Sequence, residues 1–295
     1  MKLFKDPRAM MAISMAVFGT IGFFVRNISV SSGELALYRA VLAALLIGAY
    51  LLITKQRIPF RQIGKEAVIL LLSGAVMGVN WILFFQAFKY TTVSLATLSY
   101  YFAPVIVTVA STVLFREKLT GRQILCFVMS TIGLVLITGT VGLSGGSDII
   151  GVLFGIGAAF LYATVILLNK FIKNVDGIHR TLLQFFAAIV VLAPYVALTG
   201  GSTLGTMDRK GWICLLVIGL VHTGVFYCVY FSAMKDLPGQ KTAILSYIDP
   251  LVAVIVSVAI LGEPITLLQA IGGLLILGFT LLNELSPGAA SGEQQ

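Results

Sequence analysis

The sequence predicts an all-α integral membrane protein of ten transmembrane helices, arranged as two inverted five-helix repeats. Three observations predict it: an apolar composition, ten apolar segments whose connecting loops alternate in Lys and Arg content, and an internal match between the two halves. Of the 295 residues, 58% are hydrophobic and 11% charged, with mean hydropathy +1.01, against about 45–50% apolar and about 25% charged in soluble domains. This excludes a soluble globular protein. The net charge of +8 does not point to nucleic acid, because such binders carry a basic stripe or aromatic platform on a solvated domain. A bilayer-spanning helix needs about 20 apolar residues, so ten spans leave only short loops. The expected partner is the lipid bilayer, with no nucleic acid, and the expected assembly is a monomer or weak homodimer.

The first apolar segment covers 9–27 and follows Lys2, Lys5 and Arg8. It exceeds the 7–15 residues of a signal-peptide core and lacks a small-residue cleavage site, so it is expected to stay as a helix. The second, 33–53, opens on Ser31-x-x-Glu34, the pattern of a capping box. The third covers 67–88, the fourth 94–114 with Pro104 inside it, and the fifth 123–139. A Gly/Ser-rich linker at 140–148 separates residues 1–139 from a second unit at 149–284. That unit holds 149–169, 181–199, 211–233, 242–261 with Asp249-Pro250 inside it, and 266–284. Residues 285–295 are expected to be a disordered tail.

Fifteen of the 20 Lys and Arg fall in one set of flanking segments, including Arg116, Lys118, Lys170 and Lys173. The opposite set holds Arg26, Lys89, Arg209 and Lys210, and Arg39 alone lies within a span. Cytoplasmic loops are enriched in basic residues, so both termini are expected on the cytoplasmic side of the cell membrane. Nine or eleven spans would scramble the alternation. Cys126, Cys214 and Cys228 are odd in number and lie in apolar spans, which favours neither a disulfide framework nor a metal site. No metal or cofactor is expected.

At an offset of 146, residues 78–123 align with 224–269 without a gap, and eleven positions are identical. They include Gly78/Gly224, Tyr101/Tyr247, Pro104/Pro250, Ser111/Ser257, Glu117/Glu263, Thr120/Thr266 and Gln123/Gln269. Five spans per copy is an odd number, so the second copy enters the membrane from the opposite side. The loops agree, since Arg116-Glu117-Lys118 is basic while Gly262-Glu263-Pro264 carries no Lys or Arg. Inverted repeats of this kind build alternating-access carriers, with the solute held near the midplane.

Several motifs carry a resemblance. Glu34-Leu-Ala-Leu-Tyr-Arg39, the Ala-Pro and Asp-Pro steps of spans four and nine, and the loops Arg-Glu-Lys-Leu-Thr (116–120) and Gly-Glu-Pro-Ile-Thr (262–266) occur in order across both halves. Over roughly residues 8–284 the chain resembles the EamA-type permeases of the drug/metabolite transporter superfamily. The resemblance implies secondary transport, often efflux, of small metabolites such as amino acids. Span one departs from the pattern, reading Val-Phe-Gly-Thr (17–20) where such permeases often carry a Trp-Gly step.

An ionisable residue inside a span costs at least a few kcal/mol and is a functional candidate by default. Asp249 and His222 lie at similar depth and suggest a proton-coupling pair. The alternatives are that Asp249 caps backbone groups freed by Pro250 and that His222 is an ordinary helix-contact residue. Arg39 suits an anionic solute group or Asp249, or else it snorkels to the interface or anchors a fixed ion pair. Glu34 is a further proton-coupling candidate whose competing role is the capping box. Asn80, Trp81, Tyr101, Tyr227 and Tyr247, together with His222 and Arg39, are the candidate solute-binding residues, able to stack on or hydrogen-bond an amphipathic metabolite. Gly74-x-x-x-Gly78 and Gly151-x-x-x-Gly155 read as packing surfaces.

The expected function is secondary transport of a small amino-acid-like or related amphipathic solute, with protons as the candidate coupling ion. The alternative is a proton-independent facilitator or a pore. An enzyme is disfavoured: the chain has two His and no HExxH, and its one GxSxG match, at 142–146, lacks the strand-to-helix setting of a nucleophile elbow.

Overall fold

A computed structural model describes residues 6–56, 63–64, 66–114, 120–141, 146–175, 177–235, 237 and 245–285. The described residues fold into helices α1 (Pro7–Gly19), α2 (Ile21–Arg26), α3 (Ser32–Ile53), α4 (Glu66–Tyr90), α5 (Val93–Tyr100), α6 (Ala103–Leu114) and α7 (Gly121–Val141). They continue as α8 (Gly146–Asn169), α9 (Gly177–Leu198), α10 (Arg209–Leu216), α11 (Phe226–Lys235), α12 (Ile248–Ile255) and α13 (Leu267–Glu284). Two stretches, Val217–Val225 and Val256–Ile260, wind as π-helix.

Seven of these stretches are long and apolar enough to cross a membrane: Pro7–Arg26, Ser32–Ile53, Glu66–Tyr90, Val93–Ala110, Asp148–Asn169, Gly177–Leu198 and Arg209–Tyr230. Three shorter apolar helices, Gly121–Leu136, Ile248–Ile260 and Leu267–Asn283, fall where the fifth, ninth and tenth spans are expected. Large apolar side chains are also abundant on the exterior, among them Leu52, Ile53, Val190, Leu198 and Leu274. A bundle apolar both inside and out suits lipid rather than water as its solvent. Within the linker expected at 140–148, α7 runs to Val141 and α8 starts at Gly146. Residues 142–145, the loop residues 116–118, Lys2, Lys5, Lys241 and the tail beyond Leu285 lie outside the described residues.

Helix starts follow local chemistry. Ser31 accepts from the Glu34 N–H while the Glu34 carboxylate accepts from the Ser31 N–H, completing the expected capping box. Thr120-x-x-Gln123 and Thr266-x-x-Gln269, identical across the internal match, form two further reciprocal boxes. Each box satisfies backbone N–H groups that a helix start leaves without intrahelical partners. Two spans are interrupted in mid-course. The first breaks at Thr20, between α1 and α2, and the fourth breaks at Tyr101 and Phe102, ahead of Pro104.

Packing follows the small residues. α4 lies against α8 and α9, α3 against α9 and the Val217–Val225 turn, α1 against α11 and α12, α5 and α6 against α8, and α7 against α13. Glycines permit these approaches. A Cβ on Gly74 would stand 2.7 Å from the Ala187 Cβ and 2.5 Å from the Gln184 carbonyl oxygen. One on Gly151 would meet Thr91 at 2.6 Å, and one on Gly155 would meet Ser99 at 2.9 Å. The main core joins Ile47 of α3, Phe85 and Phe88 of α4, Phe185 and Leu192 of α9 and Ile218 of the π-helical turn. Gly74→Val should therefore cost about 1–3 kcal/mol by overpacking, lowering the midpoint of thermal unfolding in detergent. Gly48→Ala, inside α3 where nothing lies within 4 Å, should instead hold or raise that midpoint, because Ala favours the helix over Gly.

Candidate functional site

The candidate residues gather into two neighbouring clusters in the middle of the bundle. The first is built on the Val217–Val225 π-helical turn. A π-turn bonds five residues back and leaves the helix locally widened. Here the Thr223 hydroxyl donates to the Ile218 carbonyl (2.8 Å), and the His222 Nδ1 lies 3.2 Å from the Val217 carbonyl oxygen. His222, 2% exposed, reaches across to α1 and α2: its Nε2 is 2.9 Å from the Thr20 hydroxyl and its ring meets Phe24 edge-on. The Thr20 hydroxyl also lies 2.7 Å from the Val17 carbonyl oxygen. Thr20 has one hydroxyl proton. All three bonds form together only when both ring nitrogens of His222 carry protons; with one ring proton, on Nδ1, Thr20 donates either to Val17 or to His222.

Arg39 belongs to the same cluster. It is 6% exposed and does not snorkel. Its Nε–H donates to Thr223 Oγ1 at 2.7 Å, its guanidinium carbon sits 4.5 Å from the Trp81 ring centroid and 5.5 Å from that of Phe85, and Tyr227 is a further neighbour. Among the described residues no carboxylate forms an ion pair with it, so the fixed pair with Asp249 is absent. Trp81 and Tyr227, equivalent positions under the 146 offset, both pack on Phe185, at centroid distances of 5.5 and 5.8 Å.

The second cluster surrounds Asp249 in the first turn of α12. The Tyr101 hydroxyl donates to Asp249 Oδ2 at 2.8 Å, and the rings of Tyr101 and Tyr247 lie 6.4 Å apart. The two tyrosines related by the internal match thus face each other beside the acid. Among the described residues Asp249 caps no backbone group, and its hydrogen-bond partner is Tyr101. Tyr100 stacks on Tyr162 at 5.2 Å and meets Tyr101 edge-on at 6.2 Å. Asn80, which precedes Trp81 in the chain, donates to the Ala158 carbonyl at 2.6 Å. Asp249 and His222 do not touch. The break in span one lies between them: Gly19 abuts the Asp249 carbonyl and Val252, leaving no room for a Cβ, and the adjacent Thr20 meets His222.

Glu34 stands apart from both clusters, at the start of α3. Besides the capping box it accepts from the Thr203 N–H and hydroxyl, so both carboxylate oxygens are engaged. Among the described residues no group of three His, Cys, Asp or Glu side chains could hold a metal ion.

Sequence reasoning missed Thr20, Thr223, Phe85, Tyr100 and Tyr162. It also missed a clasp at the end of the bundle where α2 stops. Arg26 pairs with Glu263 at 2.6 Å and donates to the Thr91 carbonyl at 2.5 Å, while Glu263 accepts from the Val93 N–H (2.7 Å) and from the Ser257 hydroxyl (2.5 Å). One carboxylate so joins the ends of α2, the start of α5 and the loop after the second π-helical stretch. The signal for it was present, since Glu263 is one of the repeated residues, but its partner lies in the other half of the chain. An open depression of about 460 Å³, lined by Arg26, Asn27, Asp208 and Lys210 among others, shares Arg26 with the clasp.

Comparison with known proteins agrees with this architecture. The model of the EamA-like transporter family matches residues 8–139 and 149–284. An uncharacterized transporter, YxxF, of Bacillus subtilis is 28% identical over 268 residues, covering 90% of this chain and 85% of that protein. An uncharacterized transporter of Archaeoglobus fulgidus is 28% identical over 277 residues, covering 93% and 94%. The uncharacterized inner membrane transporter YhbE of Escherichia coli K12 is 25% identical over 221 residues, covering 72% and 68%. One solved crystal structure superposes with a TM-score of 0.66 at 16% identity, covering 97% of this chain and 98% of that one, which speaks to the fold alone. With a family match to both halves and a bundle of apolar helices around an inward-facing polar seam, the chain belongs to the EamA-like transporter family and is a multi-pass membrane transporter.

Proposed function

We propose that the protein is a secondary active transporter that moves a small amino-acid-like or related amphipathic solute across the cell membrane, outward, by alternating access around a site between two inverted repeats. The observation that carries this reading is the exchange symmetry of the packing. Numbering the ten expected spans in order and exchanging one with six, two with seven, three with eight, four with nine and five with ten maps the helix contacts onto one another. Span three lies on six and seven as span eight lies on one and two, and span four lies on six as span nine lies on one. The exchange extends to single residues. A Cβ on Gly78 would stand 3.3 Å from Leu192 and one on Gly224 would stand 3.2 Å from Leu46, each pair offset by 146. Two equivalent five-span units that run in opposite directions can trade conformations, and the site between them then opens to one side or the other.

The two polar clusters lie at this seam. Asp249 with Tyr101 and His222 with Thr20 are the proton-coupling groups of the reading, and Asn80, Trp81, Tyr101, Tyr227, Tyr247 and Arg39 line the solute site. On this reading the loop charges put the clasp of Arg26 and Glu263 on the outer side, where it ties α2 to the loop before α13. Glu34 is kept as an anchor of the loop at Thr203 rather than a proton carrier, because both its oxygens are engaged.

Three outcomes test the reading. With Cys126, Cys214 and Cys228 replaced, a membrane-impermeant maleimide should label Pro264→Cys in intact cells and Lys118→Cys only after permeabilisation. Labelling of both from the same face rejects the inverted threading. In proteoliposomes Asp249→Asn should abolish uptake driven by a pH gradient yet spare solute counterflow; retained pH coupling removes Asp249 from the mechanism. Glu263→Gln removes a charge-assisted contact of about 1.5–3 kcal/mol, so the labelling rate at Ser94→Cys, a buried position beside the clasp, should rise about ten-fold or more from outside.

A further inference from the structure

Arg39 is a buried cation inside a membrane span with no anion opposite it. Among the described residues no carboxylate lies within ion-pair distance, and the acid best placed by type, Asp249, receives the Tyr101 hydroxyl instead. Its present surroundings satisfy only part of it. Trp81 and Phe85 approach the guanidinium as aromatic partners, an attraction that works through the ring face and does nothing for N–H groups in the guanidinium plane. Of five such donors, the Nε–H goes to Thr223, and Tyr227 is a near neighbour of the guanidinium. The rest have no described acceptor. Thr223 is itself fixed, because its proton is given to Ile218 and its oxygen receives Arg39, so the guanidinium is held by one edge in a set orientation. A planar fork with an unused edge matches the two oxygens of a carboxylate, which accept parallel N–H bonds. The seam supplies the positive half of an ion pair, and the negative half has to come from elsewhere.

We propose that the solute itself supplies it: the transported molecule carries a carboxylate, and Arg39 is the specificity-determining residue that binds it through the unused N–H edge. Trp81 and Thr223 orient the guanidinium for that contact. A neutral amide presents one acceptor and no charge, and a cationic head group is repelled, so the carboxylate is selected by both geometry and sign. This inference rests on the carrier reading of the same site.

The test uses the purified full-length protein and matched probes: 3-phenylpropionate against 3-phenylpropionamide, indole-3-acetate against indole-3-acetamide, and L-leucine and L-phenylalanine against their amides. Thermal unfolding in detergent is titrated with each. At least one carboxylate should raise the midpoint in a saturable way, with an affinity ten-fold or more above that of its amide. Arg39→Gln should erase the preference, and Arg39→Lys, which keeps the charge but not the fork, should reduce it. The comparison within the unaltered protein stands even where Arg39→Gln does not fold. Equal binding of acid and amide, a preference that survives in Arg39→Lys undiminished, or no saturable carboxylate effect overturns the proposal. Failure of the carrier reading is a different result: no member of either series drives saturable counterflow in proteoliposomes, whatever its effect on the unfolding midpoint.

Discussion

Hydrocarbon offers no hydrogen bonds, so every polar group carried on these helices has to find its partner within the bundle. That constraint explains where the chemistry sits. Asn80 reaches the backbone of α8, Ser73 and Gln184 share Asn169, Tyr101 reaches Asp249, and Thr223 receives Arg39. Apart from Gln184 to Asn169, each bond joins residues 78 or more apart in the sequence. The polar groups thus lie along the seam between the halves of the chain, while the exterior stays apolar.

Much of the architecture was legible because the membrane forces it into the sequence. The apolar segments, the capping boxes and the glycine approaches each leave a local pattern, and the described helices follow it at Ser31, Thr120 and Thr266 and at Gly74, Gly151 and Gly155. The candidate site was legible by residue type but not by partner. Asp249 and His222 were readable as rare ionisable groups, yet their pairing with Tyr101 and Thr20 was not, because those partners lie 148 and 202 residues away. The π-helical turn at Val217–Val225 was invisible for another reason. It is defined by backbone bonds to the fifth residue back, and no side-chain pattern announces it. Its effect is large, since it is the turn from which His222 and Thr223 both project.

Residues matched by the 146 offset do not make equivalent contacts. Tyr101 donates to the acid on α12, whereas Tyr247 packs with Leu95, Leu98 and Ile276. Trp81 lies beside Arg39 as a cation–π partner, while Tyr227 is a near neighbour of the same guanidinium. The packing is matched at these positions, and the side chains around the polar clusters differ. Gly78 and Gly224 illustrate the conserved part, each seated against a leucine of the neighbouring repeat.

The broken first span connects the separate parts. Within eight residues it presents Gly19 to the backbone of Asp249, Thr20 to His222 and Arg26 to Glu263. Each contact joins α1 or α2 to a different element of the second half: α12, the π-helical turn and the loop before α13. Gly19 is filled so closely that this segment cannot shift against α12 without carrying Asp249 with it. A change in the hydrogen bonding of Thr20 acts at the joint between two short helices, where the backbone has fewest intrahelical bonds to lose. The clasp lies one and a half turns further on, roughly 9 Å along the axis at about 1.5 Å per residue. The acid, the imidazole and the closed end of the bundle therefore share one mechanical element, and a structure in which they moved independently would have to break the packing at Gly19 first.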